Sequence, residues 1–289
     1  MARGLLIRLI AALPAPSLDE PTMTLFKHTL AALALSLGTL GTALATPMVK
    51  EYSTVWWNMG DGVANTVAAV GGMSYGGRVA SVASLTGTDV LVAGQWDGAA
   101  TSWVAAGGIY IIHDWGNGAS ALPGLAGATY ANHNWSDINV IDGSSAIVNG
   151  PAGTINNATL DGGNASNHGA WALSSLVSTD PLAGVVHAIL SATSASAVVM
   201  FEMGYGQGHI LYANIPLEAY TDGSPLVTGP QPAGLQIYAK NELAYAKALL
   251  GGSQPGNNAN NRQVPEPGSA LLALVALAAA AGVRRRARR

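Results

Sequence analysis

Residues 88–113 read T-D-V-L-V-A-G-Q-W-D-G-A-A-T-S-W-V-A-A-G-G-I-Y-I-I-H, and this stretch indicates the fold class. Its two short apolar runs, Asp89–Ala93 and Ile109–His113, are typical of strands that are covered on both faces. Between them, residues 99–106 favour a short helix that ends at a pair of glycines. A strand, a helix and a strand within about 25 residues form a βαβ unit, which predicts two parallel strands with a right-handed crossover.

Further elements are predicted on both sides of this unit. Residues 53–58 (S-T-V-W-W-N) predict a first strand, and residues 197–214 predict a late hairpin of two strands around a Gly-rich loop. Residues 234–250 carry one apolar stripe at helical spacing and predict a final helix that stops at Gly251. Residues 114–180 show no clear periodicity, but about sixty residues of pure loop would be unusual, so we expect short strands or helices there.

The composition permits a packed core and excludes several kinds of site. Hydrophobic residues make up 49% of the 289 residues, and the chain has no cysteine. Disulfides, thiolate metal sites and cysteine nucleophiles are therefore excluded. Between Thr46 and Val264, five Lys and Arg stand against thirteen Asp and Glu, which gives a net charge of −8. Because this part of the chain has no cluster of basic residues, nucleic acid is not an expected partner.

The N-terminal residues are typical of a secretory signal with an extended start. Residues 23–45 have a short polar segment, an apolar stretch and a small-x-small site, and predict a signal helix. Ala43 and Ala45 form the predicted cleavage site for signal peptidase, so the mature chain is expected to begin at Thr46. We therefore expect translation to start at Met23, so that residues 1–22 are an over-extended start of the given sequence.

The C-terminal part divides into a domain, a linker and a tail. Residues 46–250 are expected to form one domain, and residues 251–263 form a linker that is too polar to fold. Within the tail, residues 264–289, the apolar stretch 270–283 predicts a helix of about 21 Å at 1.5 Å per residue. This length is short for a hydrocarbon core of about 30 Å, and the basic end of the helix is expected to stay cytoplasmic.

A short motif precedes the apolar stretch, and basic residues follow it. These residues are Val264, Pro265, Glu266 and Pro267 in the motif, and Arg284, Arg285 and Arg286 at the start of the arginine cluster, residues 284–289. Their order resembles the PEP-CTERM signal of exosortase substrates, a tail that is also known as an ice-binding protein C-terminal domain. The resemblance implies cleavage by an exosortase-type membrane protease, transient anchoring in the inner membrane, and delivery to the cell surface or extracellular matrix. A plain membrane anchor is the alternative.

The phrases T-D-V-L-V-A-G, V-A-A-G-G-I-Y-I-I-H and G-Y-G-Q-G-H-I-L-Y-A-N resemble the class I glutamine amidotransferase-like fold. The resemblance implies a flavodoxin-like three-layer α/β sandwich with a mostly parallel sheet and a late hairpin, here flanked by the signal helix and the C-terminal hydrophobic helix. The catalytic family places a cysteine on the turn after the strand that corresponds to Ile109–His113. This chain has no cysteine there or elsewhere, so amidotransferase chemistry is excluded.

His113 and Asp114 are the best-placed polar pair, because they end a predicted central strand and ligands of open α/β sheets bind at that edge. His133, Asp137 and His168 offer further imidazole and carboxylate groups of a kind that zinc accepts. His113, Asp114, His133 and His168 are therefore weak catalytic candidates. Alternatively, these side chains only satisfy loop backbone groups. No metal or cofactor is assigned.

The chain holds seven tryptophans and only two phenylalanines. Several of them fall near predicted turns or strand ends: Trp56, Trp57, Trp96, Trp115, Trp135 and Trp171. Large rings supply buried area in an Ala-rich core, whereas exposed rings could stack on the sugar rings of a matrix polysaccharide. We therefore expect an exported surface or matrix protein with a non-catalytic binding or structural domain. The alternative is a secreted hydrolase or metal-dependent enzyme that uses His113, Asp114 and His133.

Overall fold

The structure, a computed structural model, describes residues 46–52, 62–115, 118–161, 167–215, 217 and 232–251. The predicted signal segment, the predicted first strand at 53–58 and the predicted sorting tail lie outside the described residues. Within the described ranges, no helix combines the length and the apolar character that crossing a membrane requires.

The described elements alternate between strands and helices along much of the chain. The strands are β1 (Met48–Tyr52), β2 (Ser74–Val79), β3 (Val90–Ala93), β4 (Ile109–His113), β5 (Asn139–Val140), β6 (Asn149–Gly150), β7 (Gly153–Thr154), β8 (Trp171–Ala172), β9 (His187–Ser191), β10 (Ala197–Tyr205) and β11 (Gly208–Ala213). The α-helices are α1 (Gly62–Val70), α2 (Thr101–Ala105), α3 (Asn157–Leu160) and α4 (Ala233–Leu250). Short 3₁₀ turns lie at Val82–Ser84, Gly98–Ala100, Gly118–Ala121 and Leu173–Ser175.

Nine of these strands form one sheet in the order β2-β1-β3-β4-β11-β10-β9-β5, with β8 paired to β10. The first five strands of this order run parallel to their neighbours. The others are antiparallel, starting with the β10–β11 hairpin. The order 2-1-3-4 followed by a fifth parallel strand is that of doubly wound, flavodoxin-like sheets. The predicted α/β class with a parallel sheet and a late hairpin is therefore confirmed.

Both faces of the central strands are buried, as their continuous apolar runs predict. In β4, Ile109 and Ile111 join a core with α1 and α4, whereas Tyr110 and Ile112 join a second core with α2. Because successive side chains of a strand point to opposite faces, one strand supplies both cores. The result is a three-layer arrangement in which the sheet is covered on either side.

The prediction of secondary structure was right in the middle and late parts of the domain. The strands at 90–93 and 109–113 are parallel neighbours, and the late hairpin and final helix are confirmed. Residues 114–180 contain short elements, as expected. Strands β1, β2 and β9 and helix α1 were not predicted.

Candidate functional site

The carboxyl ends of β4 and β11 meet in the middle of the sheet. The two strands pair in parallel from Ile109 opposite His209 to His113 opposite Ala213. The pairing continues one residue further, because the Asp114 backbone N–H donates to the Ala213 carbonyl at 2.7 Å. Residues that follow β4 and β11 are therefore held side by side at the edge where open α/β sheets bind ligands.

Asn214 bonds two segments, the end of β4 and residues 168–171, to this edge. Its side-chain amide donates to the Asp114 carbonyl at 3.3 Å, and its side-chain oxygen accepts the Trp171 indole N–H at 2.6 Å. Its backbone carbonyl accepts the N–H of His168 at 2.8 Å. Because Asn214 is fully buried, these bonds are shielded from water and fix the chain around His168 against the end of β4.

The segments that Asn214 holds present a cluster of rings, which we call the aromatic patch: Trp115, Tyr130, His133, Trp135 and His168. The His168 imidazole stacks on Trp115, with ring centroids 3.9 Å apart and an interplanar angle of 26°. Trp135 meets the same imidazole edge-on at 5.5 Å. Trp135 also contacts His133 at 4.9 Å, and Tyr130 lies 6.3 Å from His133.

Three rings of the aromatic patch are open to solvent. Trp115 is 38% exposed, Tyr130 41% and Trp135 49%. Beneath them, Trp171 is buried and packs against Tyr130 with ring centroids 4.8 Å apart. The aromatic patch therefore has a fixed base and an apolar surface, onto which a flat apolar face of a ligand can stack.

The loop that carries Trp135 is held by Asn167, a buried residue with two strong side-chain bonds. Its amide group donates to the carbonyls of Asn134 at 2.8 Å and Asp137 at 2.9 Å. Its backbone N–H donates to the Trp135 carbonyl at 3.0 Å. Since these bonds go to backbone atoms on either side of the Trp135 side chain, they set its position without using the indole ring.

The exposed rings of the aromatic patch, Trp115, Tyr130 and Trp135, carry no charge. Burial lowers the pKa of His168 to about 4, so its imidazole is neutral at physiological pH. A neutral imidazole offers one N–H donor and one acceptor nitrogen. For Tyr130, burial first and the nearby Asp114 carboxylate second raise the pKa of the phenol, which therefore keeps its proton.

The structure brings two of the predicted catalytic residues, His133 and His168, into the aromatic patch, but it does not gather all four into one site. The Asp114 carboxylate accepts the Tyr212 hydroxyl at 2.8 Å, and Asp114 is buried. His133 directs Nδ1 at the Ala131 carbonyl, 3.1 Å away. His168 belongs to the ring stack. Among the residues that the structure describes, no group of three or more His, Asp and Glu side chains could hold a metal ion.

His113 turns into the core and pairs with a residue that the sequence did not suggest. Its Nε2 lies 2.7 Å from Oε2 of Glu242 on α4, and both side chains are almost fully buried. The other carboxyl oxygen of Glu242 accepts the Tyr238 hydroxyl at 2.8 Å. Burial raises the pKa of Glu242 to about 8 and lowers the pKa of His113 to about 3. Both shifts favour the uncharged forms, so this contact is a hydrogen bond between neutral groups.

A pocket lies beside this pair, with mostly apolar walls from α1, β3, β4 and α4. Its polar lining residues are Thr66, His113 and Glu242. Of the four catalytic candidates, His113 is the one that lines this pocket.

The tryptophans divide between the two roles that the sequence left open. Trp171 is buried, and Trp96 and Trp103 pack partly buried against the core. Trp115 and Trp135 are exposed and contact His168. Trp56 and Trp57 lie outside the described residues.

Comparison with known proteins identifies the tail. The PEP-CTERM protein-sorting motif matches residues 263–289, which lie outside the described residues. The match covers the predicted motif, apolar stretch and arginine cluster, and it supports an exported protein that an exosortase sorts. It says nothing about the domain that precedes it. No curated protein is significantly similar in sequence to this chain.

Several solved structures are distantly similar. Exo-β-1,4-mannosidase Op5Man5 from Opitutaceae bacterium strain TAV5 is 12% identical, with a TM-score of 0.40 over 74% of this chain and 38% of that protein. Cytoplasmic protein STM3548 from Salmonella typhimurium is 9% identical, with a TM-score of 0.41 over 70% of this chain and 98% of that protein. A β-galactosidase from Bacillus circulans sp. alkalophilus is 11% identical, with a TM-score of 0.37 over 80% of this chain and 35% of that protein. This chain thus spans little more than a third of either glycosidase, and similarities at this level carry no argument about function.

The buried Glu242–His113 pair predicts a stability that depends on pH. Because the folded-state pKa of Glu242 is raised from 4.5 to about 8, its stabilising effect is complete below pH 4.5 and is lost as pH rises through 8. Burial lowers the pKa of His113 from 6.5 to about 3, so His113 changes the pH dependence of stability only below pH 6.5. Between pH 6.5 and 8 the free energy of unfolding should therefore fall by up to about 2 kcal/mol, measured by urea denaturation.

Two variants separate this effect from a general loss of stability. Glu242→Gln reproduces the hydrogen bonds of the protonated acid and should abolish the decline between pH 6.5 and 8. Tyr238→Phe removes a bond that favours ionised Glu242, so it should move the decline to higher pH. A Glu242→Gln protein that loses stability as steeply as the wild type would show that Glu242 does not cause the decline.

Proposed function

We propose that this chain is an exported surface or matrix protein whose α/β domain is a non-catalytic module that binds polysaccharide through the aromatic patch. The observation that carries the proposal is the arrangement of Trp115 and Trp135, two exposed indoles that both contact the His168 imidazole. The faces of pyranose rings carry C–H groups that pack on the electron-rich faces of aromatic rings. Rings also provide a large contact area at a low cost in conformational entropy.

The rigidity of the aromatic patch supports a binding role. Asn214 and Asn167 hold the backbone on which His168 and Trp135 stand, and both asparagines are fully buried. Binding groups that are fixed before the ligand arrives avoid the entropic cost of ordering side chains. A polysaccharide that lies across the aromatic patch would meet hydrogen-bonding groups of His168 beside the two indoles.

The contacts of the catalytic candidates favour binding over hydrolysis. The Asp114 carboxylate is engaged by the Tyr212 hydroxyl, and His113 by Glu242. A general acid or base must reach the proton that it transfers, and both of these side chains are buried. In these positions they serve to fix the end of β4 beneath the aromatic patch.

The tail supplies the route by which such a module reaches the matrix. The 270–283 stretch is too short to be a firm anchor, and the Val264–Pro267 motif precedes it. We propose that the exosortase cleaves near this motif and releases the domain from the inner membrane to the cell surface or matrix.

Cell fractionation tests this route. In cells with a matching exosortase, the wild-type protein should be recovered outside the membrane fraction and should be shorter than its membrane-bound precursor. Replacing Pro265, Glu266 and Pro267 by alanine should leave the precursor in the membrane, as should deletion of the exosortase. Release of the triple-alanine protein at the wild-type rate would contradict the proposed role of the motif.

Substitution of the exposed indoles tests the binding role. Trp115→Ala and Trp135→Ala should each weaken binding to polysaccharide purified from the producing cells by about fivefold or more, because a stacked aromatic contact is worth about 1–3 kcal/mol. Affinity electrophoresis measures the loss, and circular dichroism verifies the fold. Trp135→Phe should keep most of the affinity, because it retains a ring.

Val185→Ala is the matched control, because Val185 is an apolar side chain that is 92% exposed and lies outside the aromatic patch. It should bind like the wild type. Equal binding by the wild type and both tryptophan variants would show that the aromatic patch is not the polysaccharide site.

A further inference from the structure

The part of the chain that builds the aromatic patch contains no basic side chain other than histidine. Between Arg78 and Lys240 the sequence has neither Lys nor Arg. The same stretch contains many acidic residues: Asp89, Asp97, Asp114, Asp137, Asp142, Asp161, Asp180, Glu202, Glu218 and Asp222. All five members of the aromatic patch, and both asparagines that hold it, fall within this stretch. The segments that build the aromatic patch therefore carry carboxylates and neither Lys nor Arg.

The Lys and Arg residues of the described chain lie on other elements. Lys50 is on β1, and Arg78 on β2 forms an ion pair with Glu51 at 3.0 Å. Lys240 and Lys247 are on α4, where Lys247 donates to the Gly71 carbonyl at 3.0 Å. None of them stands on the segments of the aromatic patch.

His168 does not supply the missing charge. His168 is half-buried against two indoles, and its lowered pKa keeps it neutral at physiological pH. His133 carries its proton on Nδ1, because that atom faces the Ala131 carbonyl. The His133 Nε2 atom is buried without a hydrogen-bond partner among the described residues. The same holds for the side-chain oxygen of Asn167, whose amide group is already directed at two carbonyls.

These observations separate two kinds of sugar. A neutral hexose carries a CH₂OH group that can donate a hydrogen bond, whereas a uronate carries in its place a carboxylate that only accepts. Bringing a uronate onto these uncharged rings costs desolvation, and the Asp114 carboxylate near Tyr130 repels it, while the segments of the aromatic patch hold no Lys or Arg to offset either penalty. A neutral ring meets neither penalty and can still stack on the indoles.

We infer that the aromatic patch selects uncharged, hydroxyl-rich polysaccharide and discriminates against polyuronates. This inference rests on the proposed polysaccharide-binding function and names the chemical class of its ligand. Charge complementarity fixes specificity between ligands of similar shape, because an unfavourable contact lowers the affinity of the wrong one.

Polysaccharide pairs that differ mainly in charge test the inference. One pair is polygalacturonate and its carboxyl-reduced product, a galactan with the same linkages. The other is carboxymethylcellulose and hydroxyethylcellulose. With the full-length protein, affinity electrophoresis should show that the uncharged member of at least one pair binds about tenfold or more tighter than the charged member. Trp135→Ala should weaken this binding by about fivefold or more, and Val185→Ala should leave it unchanged.

A charge-gain variant gives a second readout. Asn132 is exposed and precedes His133. Asn132→Lys should raise the affinity for polygalacturonate at least about threefold, and the gain should disappear in high salt because exposed charges are screened. Asn132→Gln should leave the affinity unchanged.

The outcomes distinguish the inference from the function on which it rests. Charged polysaccharides that bind as tightly as their uncharged partners, through an interaction that Trp135→Ala weakens, would overturn the inference and leave the binding function standing. No binding to any of the four polysaccharides or to the native matrix polysaccharide, or binding that the tryptophan variants leave unchanged, would overturn the proposed function itself.

Discussion

The parallel pairing of β4 with β11 is the contact on which the rest of this domain depends. It joins Ile109–His113 to residues 209–213, and nearly one hundred residues lie between the two strands. Without that pairing the parallel array would end at β4, and the β10–β11 hairpin would have no partner on its inner side. The pairing also brings Asp114 next to Asn214, so the insertion between the strands is closed at its base by hydrogen bonds rather than by a disulfide. Closing so long a loop is entropically costly, and the fully buried apolar rows of both strands offset that cost.

The same strand end separates two chemical environments. His113, the last residue of β4, faces Glu242 in the core, whereas Trp115, two residues later, is open to solvent. Because His113 and Asp114 are buried at the end of β4, their side chains hold neighbouring elements in place rather than reaching a substrate. The exposed surface is left to rings, and a surface of rings binds by stacking rather than by transferring protons.

The elements that were predicted correctly are those whose side-chain pattern is compatible with only one kind of secondary structure. Strand β4 reads I-Y-I-I-H, and only burial on both faces suits such a run. Strand β1 was missed because its buried face alternates Val49 with Glu51, and a buried carboxylate is unexpected until its partner Arg78 is seen.

The candidate site was predicted only in part. His133 and His168 were chosen, but as catalytic candidates. Their use as members of a ring stack depends on N-H-N-W at 132–135 and N-H-G-A-W at 167–171 coming together, and no local pattern encodes that contact.

Indole N–H signals in a nuclear magnetic resonance titration show which tryptophans a polysaccharide contacts. The chain has seven tryptophans, and each contributes one such signal that substitution can assign. On addition of a neutral polysaccharide, the signals of Trp115 and Trp135 should shift together, while that of Trp171, which is bonded to Asn214, should stay in place. Shifts that fall instead on Trp96 and Trp103, with Trp115 and Trp135 unmoved, would contradict the account, because the ligand would then occupy a different surface.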